Sequence, residues 1–235
     1  MRQVVLDTET TGLEADLGHR IIEIGAVELV NRRLTGRHFH KYVNPHRDID
    51  DGALEVHGIT QAFLADKPSF VDIWSEFHEF VAGAELVIHN AQFDVSFIDY
   101  EMKLLDSVPT GIESICKITD SLALARHKHP GQKNNLDALC RRYEVDNSQR
   151  QLHGALLDAE ILADVYLLMT GGQLLMFGTA QDANRDDDAA SSLPPIHDLN
   201  LRVISASQED LADHEAYLEF LTASGADPVW RRFEG

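Results

Sequence analysis

Apolar residues open this chain almost at once. Val4, Val5 and Leu6 form a run that passes into Asp7-Thr8-Glu9-Thr10-Thr11-Gly12, which predicts a buried strand over Gln3–Thr8 followed by a glycine break. Arg20–Val30 is a second such run, rich in β-branched residues through Ile21, Ile22, Ile24 and Val27, and predicts a second strand. A third is predicted over Arg37–Val43, ending at Asn44-Pro45. From Ser69 the period changes. Phe70, Ile73, Trp74, Phe77 and Val81 recur at helical spacing, with Asp72 placed after Ser69 as in a capping box. Leu86–His89 reads as a short buried strand, and Phe93–Leu105 returns to helical spacing through Phe93, Phe97, Tyr100 and Leu104. Further helices are predicted over Ser121–Arg126, Leu136–Tyr143 and Ala155–Met169.

Strands first, then helix, strand and helix, imply an α/β fold with a mixed sheet flanked by helices. The three early strands, joined by short connections, are expected to be antiparallel. The fourth returns across a helix and is expected to run parallel to the first. After Met169 the pattern breaks at Gly171-Gly172. Residues 182–195 are polar, acidic and end in Pro-Pro, which reads as a flexible linker. Leu201–Ala206 reads as a possible strand, and Ser207 with Asp210 opens an amphipathic helix through Leu211, Leu218 and Leu221. This last segment is too small to hold a core alone and is expected to dock on something else.

The length of 235 residues, 44% of them apolar, suits one sizeable domain with an appendage. No apolar run approaches the length of a membrane span, and the N-terminus enters a strand with no basic-then-apolar leader, so a cytoplasmic protein is expected. Cys116 and Cys140 are not in a metal-type spacing and read as buried, reduced thiols. The formal net charge of −19 argues against a broad basic face that grips nucleic acid. It leaves room for an enzyme that holds only the end of a strand on metal ions, or one whose partner supplies the basic track.

Chemistry enters with the acids. With 39 acidic residues in 235, about 6 acid-x-acid pairs arise by chance, so Asp7-x-Glu9 is weak in isolation. At the end of an apolar strand it gains meaning. Side chains at i and i+2 share a face, and two carboxylates held there repel unless a cation lies between them. Hard oxygen ligands suit Mg²⁺ or Mn²⁺. Asp94 stands just past the fourth strand, either as a first-turn complement to a helix dipole or as a site residue at a strand-to-helix junction. Asp158 lies among Leu156, Leu157, Ile161 and Leu162, where a bare charge is costly and a metal removes the cost. His153, five residues before it, is a general-base candidate.

These residues stand in three motifs: Asp7-Thr8-Glu9-Thr10-Thr11-Gly12, Asn90-Ala91-Gln92-Phe93-Asp94 and His153 with Asp158. The set resembles the DnaQ-like, histidine-containing branch of the DEDD 3′→5′ exonucleases, of ribonuclease-H-like fold, over about residues 3–170. The segments 116–123, 135–140 and 152–159 are similar to the proofreading epsilon subunits of bacterial DNA polymerase III. The resemblance implies two divalent ions, Mg²⁺ or Mn²⁺. Asp7, Glu9 and Asp158 would bind them directly and through them the scissile phosphate, and Asp94 would hold the second ion. His153 would take a proton from the attacking water, releasing 5′-mononucleotides. Thr10 and the backbone at Gly12 would contact the terminal nucleotide, as would His57, which otherwise reads as a loop histidine. Asn90 and Phe93 would position the strand end, although Phe93 equally suits a core.

The resemblance also implies partners. Gln173, Leu174, Met176 and Phe177 are similar to the peptide that polymerase subunits insert into the sliding clamp, or else seal the last helix. The implied organisation is an exonuclease domain over 1–178, a flexible acidic linker over 179–199 and a polymerase-binding segment over 200–235. A small accessory subunit is a further possible partner, and the substrate would be the 3′ end of single-stranded or frayed primer DNA. Competing readings are an RNA-trimming exonuclease of the same superfamily and a scaffold bridging polymerase and clamp.

Overall fold

A computed structural model describes residues 1–105, 111–150, 152–171 and 207–224. The chain divides into two units, Met1–Gly178 and Thr179–Gly235. The first contains strands β1 (Arg2–Thr10), β2 (Ile21–Val30), β3 (Arg33–Tyr42), β4 (Glu85–Ile88) and β5 (Lys117–Asp120). Its helices are α1 (Asp51–His57), α2 (Gln61–Leu64), α3 (Phe70–Val81), α4 (Ala91–Lys103), α5 (Ser121–Lys128), α6 (Leu136–Tyr143) and α7 (Ala155–Gly171). The sheet order is β3-β2-β1-β4-β5. β1–β2 and β2–β3 pair antiparallel, and β1–β4 and β4–β5 pair parallel. The expected mixed sheet is present, with the three early strands antiparallel and β4 parallel to β1.

Three departures from the sequence reading have simple causes. β3 begins at Arg33 rather than Arg37, because Asn31 and Arg32 both take positive φ, 49° and 63°, and turn the chain directly back on itself in a two-residue hairpin. Its first half is exposed, so no apolar alternation marked it. β5 was not anticipated: four residues, Lys117-Ile118-Thr119-Asp120, carry one apolar side chain and owe their conformation to pairing with β4. α1 and α2 are short, and α1 holds a glycine, so neither has a clear helical stripe.

Two apolar layers sandwich the sheet. One joins Val4, Leu6, Ile24 and Leu86 to Phe70, Phe77 and Phe97 from α3 and α4. The other joins Val5, Val27 and Val87 to Leu139 of α6 and to Leu162, Val165 and Met169 of α7. At the start of α3 the Ser69 N–H donates to the Asp72 carboxylate at 2.9 Å, half of the expected capping box. Cys116 and Cys140 are free and buried, as expected.

The described part of the second unit is α8 (Gln208–Ala223), with Ser207 and Asp210 forming the expected capping box. Leu211, Tyr217 and Phe220 are exposed on it. The predicted linker, the predicted strand over 201–206 and the peptide carrying Gln173, Leu174, Met176 and Phe177 lie outside the described residues. No helix among the described residues is long and apolar enough to cross a membrane.

Candidate active site

Alternation along β1 sends Gln3, Val5, Asp7 and Glu9 toward α7 and Val4, Leu6 and Thr8 toward the opposite layer. Opposite Asp7 on β2 stands Gly25. A Cβ there would lie 2.1 Å from the Leu156 nitrogen and 2.2 Å from the Ala155 carbonyl carbon. Glycine at this one position lets the first turn of α7 press against the sheet, and that turn carries Asp158. Asp94 arrives over the strand end. Asn90 leaves β4 with φ of 67°, a left-handed conformation that asparagine tolerates, and Asp94 sits in the first turn of α4. The Thr8 hydroxyl donates to Asp94 Oδ1 at 2.7 Å. His153 precedes α7, and its N–H donates to the Val56 carbonyl at 3.2 Å.

Asp7, Glu9, Asp94, Asp158, His153, Asn90 and Phe93 therefore line one cavity of about 300 Å³. Three motifs scattered over 150 residues of sequence meet there. Glu9, His153 and Asp158 offer donor atoms all within 4.8 Å of one another. Asp7 and Asp94 line the same cavity.

The electrostatics are those of acids crowded out of water. Burial pushes the Asp7 carboxyl well above the usual carboxylate range, and repulsion from Asp94, Glu9 and Asp158 adds to it. Burial likewise lifts Glu9 to about 8, with Asp158, Glu23 and Asp94 reinforcing it. Asp94 rises to about 7, chiefly through burial, against the hydrogen bond from Thr8. His153 is lowered by burial and by the positive charge of Arg150. These crowded carboxylate oxygens fit a hard divalent cation, which would relieve the repulsion.

Several residues here were not singled out in the sequence. Arg150 lies between the acids. Its Nε and Nη2 donate to Asp158 Oδ1 and Oδ2 at 2.5 and 2.8 Å, and its Nη1 donates to Asp137 Oδ1 at 2.7 Å. Its Nη2 lies 3.0 Å from His153 Nδ1. His89, Asn135 and Asp137 complete the cavity wall. Glu23, in register with Glu9 on β2, is 2% exposed. His40 Nε2 contacts its Oε1 at 2.7 Å, and its Oε2 has no partner. A lone acid inside the apolar run Ile21-Ile22-Glu23-Ile24 was the available signal.

A second cavity, of about 470 Å³, adjoins the first and is lined by Thr10, Gly12, Leu13, Val56, His57 and Phe93, among others. Phe93 and Glu9 border both cavities. The Thr10 hydroxyl is turned onto the Gly12 carbonyl at 2.6 Å. His57 is buried, accepts the Ile59 N–H on Nδ1 at 2.9 Å and has no partner on Nε2. Phe93 is half-buried and its ring packs 4.9 Å from that of Phe97, so it belongs both to the core edge and to the cavity wall.

A five-stranded mixed sheet with this acidic cavity at the end of its central strand agrees with the comparisons. The sequence profile of the exonuclease family matches residues 4–166, and the chain belongs to that family. The DNA polymerase III subunit epsilon of Salmonella typhimurium is 53% identical over 236 residues, covering 98% of this chain and 97% of that protein. The Escherichia coli subunit is 51% identical with the same coverage. More narrowly, then, the chain is a member of the DNA polymerase III epsilon-subunit family. Among solved structures, exonuclease X in complex with 5′-overhanging duplex DNA superposes with a TM-score of 0.56 at 26% identity. The match covers 75% of this chain and 93% of that one.

Proposed function

We propose that this chain is the proofreading 3′→5′ exonuclease of a replicative DNA polymerase, removing mismatched 3′-terminal nucleotides as 5′-mononucleotides. The observation that carries the reading is the convergence of Asp7, Glu9, Asp94, Asp158 and His153 on one cavity in a member of this family. Asp7, Glu9 and Asp158 hold divalent ions, Mg²⁺ or Mn²⁺, and Asp94 steadies a second one. When bound, the ions supply Lewis acidity that favours attack by water and stabilises charge on the attacking and leaving oxygens. His153, which lines the cavity, accepts the proton of the attacking water. The neighbouring cavity takes the terminal nucleotide, with Thr10, Gly12, Val56 and His57 around it. Phe93 stands between that pocket and the acids, and Asn90 flanks the strand end.

The negative net charge suits an enzyme fed by its partners. The segment 200–235 docks on the polymerase catalytic subunit, and Gln173, Leu174, Met176 and Phe177 engage the sliding clamp. Tethering of this kind raises the local concentration of primer ends without a basic groove of its own. A pull-down in which Gln173→Ala with Phe177→Ala keeps full clamp binding would sink the clamp assignment. A chain ended near Gln181 that still binds polymerase would sink the tail assignment.

The test of the chemistry is release of 5′-mononucleotides from a 3′-mismatched DNA primer with Mn²⁺ or EDTA, for wild type and Asp7→Ala, beside an RNA primer of the same sequence. Metal-dependent release from DNA, abolished by the substitution, is expected. Faster cleavage of RNA would move the protein to RNA trimming, and no cleavage of either would leave a scaffold role.

A further inference from the structure

Arg150 is the only lysine or arginine among the described residues that line the acidic cavity. Its side chain is 9% exposed, and it sits in the loop between α6 and α7. The guanidinium takes both oxygens of Asp158 in a forked pair, at 2.5 and 2.8 Å. The same Nη2 lies 3.0 Å from His153 Nδ1. Arginine has donors only, so that nitrogen must accept, and its lone pair is engaged. His153 Nδ1 also lies 3.4 Å from Asp158 Oδ2. One cation thus contacts a carboxylate assigned above to metal and one ring nitrogen, Nδ1, of the general base.

The fork takes one lone pair on each Asp158 oxygen, and a divalent ion drawn to the same carboxylate meets the arginine's positive charge directly beside it. The fork answers the problem posed by buried acids, whose repulsion needs a positive charge whether or not metal is present. A second partner gives the side chain somewhere to stay. Nη1 is held by Asp137 Oδ1 at 2.7 Å, and Asp137 is 43% exposed, on the solvent side of Asp158. Asn147 Nδ2 donates to the same oxygen at 3.2 Å and ties the loop to α6.

We propose that Arg150 is a displaceable internal counter-cation that holds Asp158 and His153 in the metal-free protein and leaves both when divalent ions load. Metal binding and release of the His153 Nδ1 lone pair are then one event, and without ions that nitrogen stays engaged by Arg150. The inference rests on the metal reading of the site given above.

The test is Mn²⁺ binding to the full chain without nucleic acid, read from the electron paramagnetic resonance signal of free Mn²⁺. Arg150→Ala removes the competitor and is expected to bind Mn²⁺ about tenfold more tightly than wild type, a coupling of ordinary size between two competing cations. Arg150→Lys keeps the charge and loses the fork. It too is expected to bind more tightly than wild type, and wild-type affinity in the lysine variant would reduce the effect to plain charge and overturn the proposal. Should either variant fail to fold, nitrogen-15 spectra of the wild type decide. Mg²⁺ is expected to move the Arg150 Nε–H and His153 Nδ1 resonances in one titration, and an Arg150 signal unmoved at saturating Mg²⁺ would overturn the proposal. Equal affinities of wild type and Arg150→Ala defeat the counter-cation alone, whereas a wild type that binds no Mn²⁺ at millimolar concentration defeats the metal reading and the counter-cation with it.

Discussion

The two faces of β1 are both largely removed from water and chemically opposite. On one, Val4 and Leu6 join an aromatic layer with Phe39, Phe70, Phe77 and Phe97. On the other, the strand begins alike with Val5, then presents Asp7 and Glu9 to two more carboxylates and an arginine. The first face stabilises the fold by removing apolar surface from water. The second opposes folding, since it holds like charges where water cannot shield them. Burial alone does not separate core from site; the separation lies in what is buried, and in whether a ligand is needed to make the burial favourable.

The contrast breaks most sharply at its two centres. Asp7→Ala should lower the rate of nucleotide release by about 10³-fold, in the range of losing one preorganised charge-stabilising element. The metal-free protein should meanwhile melt no lower than wild type, and a large fall in its melting temperature would mean that Asp7 supports the fold. Phe77→Ala is the converse. It should cost about 3–5 kcal/mol in denaturant titrations, through lost transfer energy and a cavity, with and without Mg²⁺ alike. Gly25→Ala lies between the faces. Its added carbon meets the backbone of Ala155 and Leu156, so α7 must shift. We expect about 1–3 kcal/mol of destabilisation and a rate reduced about 10²-fold by misplacement of Asp158. A fully active Gly25→Ala protein would show that the site tolerates movement of α7.

The pH dependence sharpens the comparison further. Glu9 is raised by burial from 4.5 to about 8 and Asp94 from 3.8 to about 7. Because both are raised in the folded protein, the stability they contribute is complete below their ordinary values and is lost as pH rises through 7 to 8. The metal-free protein should therefore melt at progressively lower temperature from about pH 5 to about pH 9. Glu9→Gln should flatten that slope, and saturating Mg²⁺ should remove most of it; identical slopes for wild type and Glu9→Gln would exclude Glu9 as a cause. The smallest effect is expected at the rim of the aromatic layer. Asp72→Ala loses the carboxylate that takes the Ser69 N–H at the start of α3 and should cost about 1 kcal/mol, read as a lower melting temperature with nucleotide release unchanged at 25 °C.

Much of this was legible in the chain itself. The two-residue spacing of Asp7 and Glu9 at the end of an apolar strand, and the isolated Asp158 among leucines, each carried a local reason to be unusual. Arg150 did not. It looked like one polar residue in a polar loop, and its roles are set by Asp137 and Asp158, brought to it by the packing of α6 and α7. Glu23 carried a signal in its apolar surroundings, but its relation to Glu9 depends on the β1–β2 register. β5 failed to show because its conformation comes from pairing with β4 rather than from its own side chains.

What the sequence determined by itself is what the period of the backbone determines: which side chains of β1 share a face, where α3 and α8 are capped, and which acids are out of keeping with their neighbours. Those are relations over a few residues, and they hold wherever the segment finds itself. The tertiary structure alone decided that residues 7, 94 and 158 line one cavity, because that meeting depends on β4 lying parallel to β1 and on α7 crossing at Gly25. It also decided that a guanidinium lies among the acids. The charge that must balance buried carboxylates is a property of the space they enclose, and that space does not exist until the sheet and α7 have closed it.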